Sequence, residues 1–527
     1  MREYISRIKD IFSDKSKNSL TRQSVENSFF SLFVNLVSKV GGLIFTILLA
    51  RALLPDLFGL YNLIFSIIAT IATFTDLGIN TALSRYLADS LSKGKKYEIE
   101  ARSRVRFLFN LKILLSAVVS ILLFSLSTWV SATIFHKPEM ALPLRIGSIY
   151  LFAMAIQGFF STIFYPLKKL KYNFISEVLF QIAKIGLFLL LVGMYKTVAS
   201  VFVVFIIAYT LSIIFYVVTV LIKQRKLFIG KLIPIERKRM VVFLGWAIIL
   251  SSFSTIFISI NTLMLGFFVE NNFLGYYATI WSIVMPIATL VNLGAIFIPI
   301  FTQIKKKRFD RGFKQVIKYS AMFAIPLSIG LSFVILRVIR VLYGQSYVPQ
   351  EFFLPILVAS ILICLLIVEE IASTIYYSVL ISKEKIKIAT VIMVFATILN
   401  IILNYFMIKI LLPYGQAWAI VGVSIATFIT RYLVVFIYAA KAKKELKVLP
   451  KLKDIFYPLF ASIIMLGFMF LFSHLFNPKL WITVIMVLLA IIIYFISLYI
   501  INKFFSRAKS PVDEGKINTK IIKKSRT

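Results

Sequence analysis

Cysteine and histidine are almost absent from this sequence of 527 residues. Cys364 is the single cysteine, and the two histidines, His136 and His474, lie far apart in the chain. A single cysteine excludes an intrachain disulfide and a cysteine-based metal cluster, and two distant histidines argue against a histidine-ligated metal site. The sequence therefore predicts neither a metal site nor a resident cofactor.

Long polar segments are also missing, because apolar runs of about 20 residues, the length that crosses a bilayer, recur along the whole chain. Hydrophobic residues make up 60% of the sequence and charged residues 15%, a balance that a soluble domain cannot reach. The sequence predicts an all-α, polytopic membrane protein with about fourteen transmembrane helices. The predicted spans are 27–50, 57–82, 107–130, 143–165, 174–195, 197–222, 241–264, 274–302, 316–339, 354–381, 387–411, 416–438, 455–475 and 479–502.

Negative charge is scarce, with 22 acidic residues against 59 Lys and Arg, and the formal net charge is +37. The basic residues concentrate in the connections after every second span, which is the distribution of cytoplasmic loops. The sequence therefore predicts a protein of the cytoplasmic (plasma) membrane with both termini in the cytoplasm. We call the helix ends at the nearly neutral connections the predicted outer ends. Once the basic loops are explained by topology, no basic face is left for nucleic acid, and none is expected as a partner.

The predicted external loops are all short, and the sequence contains no Asp-x-Asp pair. A membrane glycosyltransferase or polysaccharide polymerase needs a folded external loop and a site for a metal-bound sugar nucleotide. The sequence therefore predicts no catalytic residues and argues against an enzyme.

The second half of the sequence repeats motifs of the first half. Phe58-Gly59-Leu60-Tyr61 is matched by Leu274-Gly275-Tyr276-Tyr277. A second block, Ser161–Tyr165, is matched by Ser373–Tyr377. Two ordered blocks at nearly equal offsets indicate a duplication in which spans two and four correspond to spans eight and ten. Because six helices separate the pairs, the halves have the same orientation and are related by an axis along the membrane normal.

The duplication predicts two parallel six-helix repeats around a central cleft, followed by a C-terminal helix pair. In such an arrangement the substrate binds between the halves, and rocking of one half against the other gives alternating access. The predicted divisions are a basic cytoplasmic segment 1–24, a six-helix bundle 25–222, a basic linker 223–240, a second bundle 241–440, a terminal pair 441–502 and a basic tail 503–527.

The first two spans carry a familiar pattern. Ile47–Tyr61 includes Ala50-Arg51-Ala52, Pro55 and Gly59, and Thr75-Asp76-Leu77-Gly78 follows. This pattern resembles the Wzx-like polysaccharide-biosynthesis flippases, exporters of O-antigen and teichuronic acid, within the multidrug/oligosaccharidyl-lipid/polysaccharide superfamily. The resemblance implies transport of a lipid-linked oligosaccharide from the cytoplasmic to the outer leaflet, without covalent chemistry. It also implies membrane lipids and the glycosyltransferases or polymerase of the same pathway as partners.

Charged residues inside the spans are the first candidates for a functional site, since each costs about 2.5–3.5 kcal/mol at mid-helix on insertion scales. Lys39 and Lys184 lie in the middle of spans one and five. Each is either a contact for a substrate phosphate or acidic sugar, or half of a structural ion pair. Arg85 and Arg431, toward inner span ends, either meet the substrate first or anchor the interface by snorkelling.

Acidic and amide side chains form a second group. Glu369 and Glu370 in span ten are either a proton or sodium coupling site, a charge partner for a cleft lysine, or a glutamate held by neighbouring helices. Asp76 and Asn80 share one face of span two and serve either as a gate or cation ligand, or as a packing anchor. Asn292 matches Asp76 in the repeat.

Pro286 interrupts span eight and produces either a gating bend or a static kink.

Three functions stay open. A flippase for an anionic lipid-linked glycan accounts for the buried lysines, with coupling to a proton or sodium gradient or to the membrane potential. A cation-coupled drug antiporter of the multidrug-extrusion branch would instead need carboxylates in the cleft. A non-transporting scaffold of a glycan-assembly complex has no reason to keep buried charges.

Overall fold

The computed structural model describes residues 19–92, 98–234, 237–291, 306–382, 385–446, 453–476 and 480–507, and these residues form α-helices and no strand. The α-helices are α1 Ser19–Asp76, α2 Ile79–Ser92, α3 Glu98–Trp129, α4 Ala141–Ile163, α5 Lys171–Met194, α6 Val198–Lys223, α7 Arg237–Phe268, α8 Asn271–Val291, α9 Lys306–Leu342, α10 Phe353–Ser382, α11 Ile386–Leu411, α12 Gln416–Leu446, α13 Lys453–Leu475 and α14 Leu480–Arg507. Helices α3 to α14 correspond in order to predicted spans three to fourteen.

Helix α1 contains the first predicted span and most of the second, and the last residues of the second span, 79–82, belong to α2. Leu54 has φ 60° and ψ 173°, outside the helical region, and Pro55 follows it. Proline lacks a backbone N–H and disfavours the helical conformation of the residue before it, so the chain changes direction at this pair. The two spans are therefore joined by a sharp break and not by a loop.

Twelve helical segments among the described residues are long and apolar enough to cross a membrane. One of them, Phe29–Leu91, has 63 residues and covers predicted spans one and two. A shorter apolar helix, Ser252–Phe268, lies in predicted span seven. These two features account for the difference from fourteen, and the predicted all-α, polytopic architecture is confirmed.

The chain divides into two compact units. The first comprises residues 1–282 and 393–423, and the second residues 283–392 and 424–527. The predicted segment 1–24 and tail 503–527 lie largely outside the described residues, and the predicted domain divisions stay predictions.

The first unit contains a core formed by α2, α3, α4 and α6. Leu83, Val105, Phe159 and Tyr216 are buried there, one from each of these helices. In a membrane such contacts stabilise by close packing, because lipid tails are as apolar as the side chains themselves. Helix α1 also packs along α5 and α7 within this unit.

The second unit packs α9 against α10 and α13, and α13 against α14. Two side-chain hydrogen bonds to main-chain carbonyls connect these helices. The Ser328 hydroxyl in α9 donates to the carbonyl oxygen of Cys364 in α10 at 2.9 Å. The Tyr494 hydroxyl in α14 donates to the Met322 carbonyl oxygen of α9 at 2.7 Å. Each bond satisfies a hydroxyl that would otherwise be costly in hydrocarbon.

Candidate functional site

An ion pair lies at the break between α1 and α2. Asp76 is the last residue of α1, and Leu77 and Gly78 both have positive φ, 39° and 73°. The Lys112 ammonium group of α3 lies 2.7 Å from Asp76 Oδ1, and the Lys112 side chain is 2% exposed. The Asn80 backbone N–H also donates to Asp76 Oδ1, at 3.4 Å. Asp76 therefore compensates a buried lysine and caps the start of the next helix.

Lys112 is a site residue that the sequence did not single out. It lies five residues inside the predicted start of span three, within reach of the interface for a flexible side chain. The structure buries it instead. The available signal was Asp76, since an acid inside one span predicts a cation inside a neighbouring span.

Lys184 occupies an apolar environment in α5. Its ammonium nitrogen lies 4.7 Å from the ring centroid of Phe45 in α1 and 5.2 Å from that of Phe180. The side chain is buried, and no carboxylate forms an ion pair with it in the described part of the chain. Cation–π contacts of this kind contribute about 0.5–2 kcal/mol, which compensates the buried charge only in part.

Lys39, the other lysine predicted for this region, lies on α1, which packs against α5. Lys39 is half-buried on α1. Two residues along, Gly41 allows α1 to approach the Gln181 side chain of α5 so closely that a β carbon would overlap it. The Gln181 side-chain amide donates to the Glu177 carboxylate at 2.7 Å. Lys39 and Lys184 therefore belong to one pair of packed helices, α1 and α5.

A three-residue charge cluster lies in the second unit. The Arg431 guanidinium group of α12 donates to Glu369 at 2.9 Å and to Glu370 at 3.1 Å, both in α10. The Arg431 and Glu369 side chains are 9% and 4% exposed, and that of Glu370 is 25% exposed. The sequence placed Arg431 and the two glutamates in separate roles, and the structure brings them together.

The other predicted residues lie apart from these clusters. Arg85 is exposed on α2, and Pro286 is half-buried within α8, which continues as a helix through it. Asn292 lies outside the described residues.

A polar network connects predicted outer ends in the first unit. The Lys137 ammonium group donates to the Val269 carbonyl oxygen at 3.0 Å and to Asn271 Oδ1 at 2.7 Å. The Asn271 amide nitrogen donates to Glu139 at 3.3 Å. Burial lowers the pKa of Lys137 to about 8, against the opposing effect of the nearby Glu139, Asp56 and Glu270 carboxylates. These hydrogen bonds hold the segment between α3 and α4 against the segment between α7 and α8 and the first residue of α8.

Two repeat-related glycines make reciprocal contacts beside this network. A β carbon on Gly59 would collide with the Asn271 carbonyl oxygen, and one on Gly275 would collide with the Pro55 carbonyl oxygen. In the ungapped register of the repeat, Gly275 is the equivalent of Gly59, and Asn271 is the equivalent of Pro55. The two contacts are therefore the same contact made twice, once from each repeat. Only glycine permits this backbone approach, and a side chain at either position would force the helices apart.

Comparisons with known proteins agree with this architecture. A family model described as polysaccharide biosynthesis protein matches residues 24–305. A search of curated proteins found no match to the sequence.

Three solved structures share the fold. The lipid II flippase MurJ in an inward closed conformation is 18% identical, with a TM-score of 0.66, and the match covers 90% of this chain and 99% of that one. An inward-facing multidrug resistance MATE family transporter of the MOP superfamily is 13% identical, with a TM-score of 0.61 over 79% of this chain and 95% of that one. A MOP superfamily transporter from Pyrococcus furiosus is 12% identical, with a TM-score of 0.56 over 79% and 95%.

Proposed function

The chain belongs to the polysaccharide biosynthesis protein family, and from this premise we propose that it flips a polyprenyl-linked oligosaccharide or related glycan precursor from the cytoplasmic to the outer leaflet. Family and fold indicate a membrane transporter of the flippase type and not a catalytic enzyme. The passage of a glycan headgroup through hydrocarbon is slow because its polar groups must lose their water. A polar route through the protein removes that barrier, and alternating access between the two repeats opens it to each side in turn.

The observation that carries the proposal is the environment of Lys184. The buried ammonium group has two aromatic neighbours and forms no ion pair among the described residues, and the Glu177 carboxylate of the same helix attracts it only from a longer distance. The phosphate groups of a lipid-linked glycan supply the missing anion through charge-assisted hydrogen bonds. Lys39 on the facing helix α1 adds a second cation to the same helix pair. We assign both lysines to substrate binding.

Arg85 and Asp76 have supporting roles in this proposal. Arg85 is exposed on α2, toward the predicted inner face, and is assigned to the first encounter with the anionic headgroup. Asp76 is engaged by Lys112. It therefore anchors the α1–α2 break, and with Asn80 defines a point where span two can bend.

Coupling is assigned to the cluster in the second unit. Two carboxylates, Glu369 and Glu370, share the single guanidinium group of Arg431. One negative charge is then left over in a largely buried position, and a proton or a sodium ion neutralises it at lower cost than desolvation of the bare charge. Loading and release of that cation can couple the transport cycle to an ion gradient. The membrane potential acts on the same charge.

The cellular context follows from the same premise. The protein acts in the plasma membrane with both termini in the cytoplasm, as the basic loops predict. The glycosyltransferases that complete the precursor and the polymerase that consumes it are the expected functional partners.

The drug-antiporter alternative is supported by the MATE-like fold alone. An organic cation would have to compete with Arg431 for the two glutamates of the second unit, whereas a proton needs only the one negative charge that Arg431 leaves over. A scaffold is disfavoured by the buried Lys184, because a protein without a passenger gains nothing from a buried charge that forms no ion pair among the described residues.

A leaflet assay tests the proposal. The full chain is reconstituted into vesicles that contain a fluorescent nitrobenzoxadiazole-labelled polyprenyl diphosphate oligosaccharide, and dithionite bleaches the label in the exposed leaflet. The proposal predicts that the protein makes nearly all of the label accessible, whereas protein-free vesicles retain about half. A parallel assay measures uptake of ethidium, an organic cation, under a proton or sodium gradient.

The two assays separate the candidate functions. Movement of the labelled lipid without ethidium uptake supports the flippase. Ethidium uptake without lipid movement would replace it with the antiporter, and activity in neither assay, with the protein folded, would leave the scaffold as the better account.

A further inference from the structure

An apolar groove in the second unit is open along α9, α13 and α14. Its cavity measures about 390 Å³ and is lined by Pro326, Val334, Met465, Met469, Val487 and Ile491. A β carbon on Gly330 of α9 would lie 3.3 Å from the Met465 side chain, closer than ordinary van der Waals contact, so the absence of a side chain there helps to keep the groove open. Methionine side chains adapt to irregular apolar partners. The groove is therefore suited to a flexible hydrocarbon chain.

The groove continues into a polar mouth. A second cavity of about 340 Å³ shares Met322 and Phe495 with the first and is also lined by Lys318, Asp454 and Asn502. Asp454 lies near the start of α13, Asn502 lies near the end of α14, and Lys318 of α9 lies near the start of predicted span nine, 316–339. The basic connections predict that these helix ends lie at the cytoplasmic interface. The lining also includes three tyrosines, Tyr319, Tyr457 and Tyr499, as is typical of an interfacial aromatic belt.

The mouth presents one charge of each sign. Within the part of the chain that the structure describes, neither Lys318 nor Asp454 forms an ion pair, although both line the same cavity. An ammonium group beside Asp454 and a phosphate beside Lys318 would satisfy both charges. A zwitterionic headgroup has this pattern. A polyprenyl pyrophosphate, by contrast, would bring several negative charges next to Asp454.

We propose that this groove and its mouth form a binding site for one membrane phospholipid with a primary-amine headgroup, such as phosphatidylethanolamine. The headgroup lies between Lys318 and Asp454, and one acyl chain follows the groove. Val334 follows Lys318 by sixteen positions of α9, about 24 Å at the helical rise of 1.5 Å per residue. That length reaches from the interface through the roughly 15 Å hydrocarbon depth of one leaflet.

The site goes beyond the proposed transport function. It takes a resident lipid of the bilayer, and its charges are not those assigned to the glycan headgroup. A bound lipid would fill the space between α9 and the terminal helix pair α13–α14, adding apolar contacts where the Tyr494–Met322 hydrogen bond already connects α14 to α9.

Native mass spectrometry of the full chain tests the site. The protein is released from vesicles with equal amounts of phosphatidylethanolamine, phosphatidylcholine and phosphatidylglycerol of identical acyl chains, and the retained lipids are counted. We expect one phosphatidylethanolamine to be retained in preference to the other two. Asp454→Asn should lower the ratio of retained phosphatidylethanolamine to phosphatidylglycerol about threefold, the effect of one solvent-accessible charge contact.

Two further variants test whether lipid retention depends on the charges of the mouth. Lys318→Gln should reduce retention of both phosphatidylethanolamine and phosphatidylglycerol, since both carry the phosphate. Glu351→Gln, an exposed acid elsewhere in the same unit, is the matched control and should change nothing. Melting temperatures confirm that each variant is folded.

Three results would overturn the proposal. These are an unchanged lipid ratio in Asp454→Asn, preferential retention of phosphatidylglycerol by the unaltered protein, and displacement of phosphatidylethanolamine by equimolar polyprenyl phosphate. The last result would assign the groove to the isoprenoid carrier instead. None of these outcomes depends on whether the protein moves a glycan.

Discussion

Arg431 in the second unit and Lys184 in the first are both buried cations, and their surroundings are opposite. Arg431 is held by two carboxylates, whereas Lys184 lies against two phenyl rings without an ion-pair partner among the described residues. Lys112 is intermediate, with one carboxylate. A buried charge persists only if something compensates it. The protein compensates Arg431 and Lys112 with direct ion pairs, whereas Lys184 has only the more distant Glu177 carboxylate, and the proposed function assigns its direct partner to an anionic passenger.

The largest expected effect is on Arg431. Arg431→Met removes the cation that the described residues place on two carboxylates, and breaking a buried ion pair in this way costs about 3–5 kcal/mol. We expect a large fall in melting temperature or loss of folded protein, measured by thermal unfolding and by size exclusion in detergent. Lys444→Met, at an exposed position of the same helix, is the control.

The matched triple variant sharpens this prediction. Glu369→Gln and Glu370→Gln combined with Arg431→Met remove all three charges, and most of the lost stability should return. If the triple variant is as unstable as Arg431→Met, the three side chains stabilise the folded protein through their packing and not through their charges.

Lys112→Met should have a smaller effect. Only one carboxylate, Asp76, loses its partner, and its side chain is 32% exposed, so about 1–3 kcal/mol is expected. The double variant with Asp76→Asn should recover part of that loss, as determined from a double-mutant cycle of melting temperatures. A Lys112→Met protein as stable as the unaltered one would show that this ion pair contributes no net stability.

Lys184→Met should be nearly neutral for stability or slightly stabilising, because Lys184 forms no ion pair among the described residues and an apolar chain of similar length packs between Phe45 and Phe180. Thermal unfolding beside Lys196→Met, an exposed lysine of the same unit, gives the comparison. A loss as large as that of Arg431→Met would mean that the protein itself compensates Lys184, against the contrast drawn above.

The smallest effect concerns Lys137 at the predicted outer ends. Its pKa is lowered to about 8 from 10.5 by burial, so between these values the unfolded chain binds more protons than the folded one. Stability therefore rises as the pH rises through this window. The melting temperature of the unaltered protein should increase relative to that of Lys137→Met between pH 7 and pH 10. A constant difference would show that Lys137 keeps its ordinary pKa.

The sequence predicted the helices well because hydrophobic length is a local property. Most span boundaries and the depth of Lys184 follow from the runs of apolar residues around them, whereas the break within one helix at Pro55 and the break at Leu77 and Gly78 inside predicted span two do not. The repeat also identified Gly59 and Gly275 as equivalent. That each contacts the backbone opposite the other could not be predicted, since equivalence in a repeat does not specify contact.

The sequence could not predict which residues form ion pairs with the buried charges. Arg431 binds carboxylates 61 and 62 residues away, and Lys112 binds Asp76 from 36 residues away. Such pairs depend on which helix faces pack together, and in apolar helices hydrophobic periodicity does not define a face. Lys112 was missed for the same reason, because near a span end snorkelling and burial have the same sequence pattern.

The most direct test of the central claim is the leaflet assay on Lys184→Met compared with Lys184→Arg, with melting temperature recorded in the same preparations. The account predicts that Lys184→Met keeps its melting temperature while flipping of the labelled polyprenyl diphosphate oligosaccharide falls at least about tenfold, the effect of one charge-assisted contact of roughly 1.5–3 kcal/mol. Lys184→Arg should retain much of the rate. Full flipping by a stable Lys184→Met protein would contradict the assignment of this lysine to an anionic passenger.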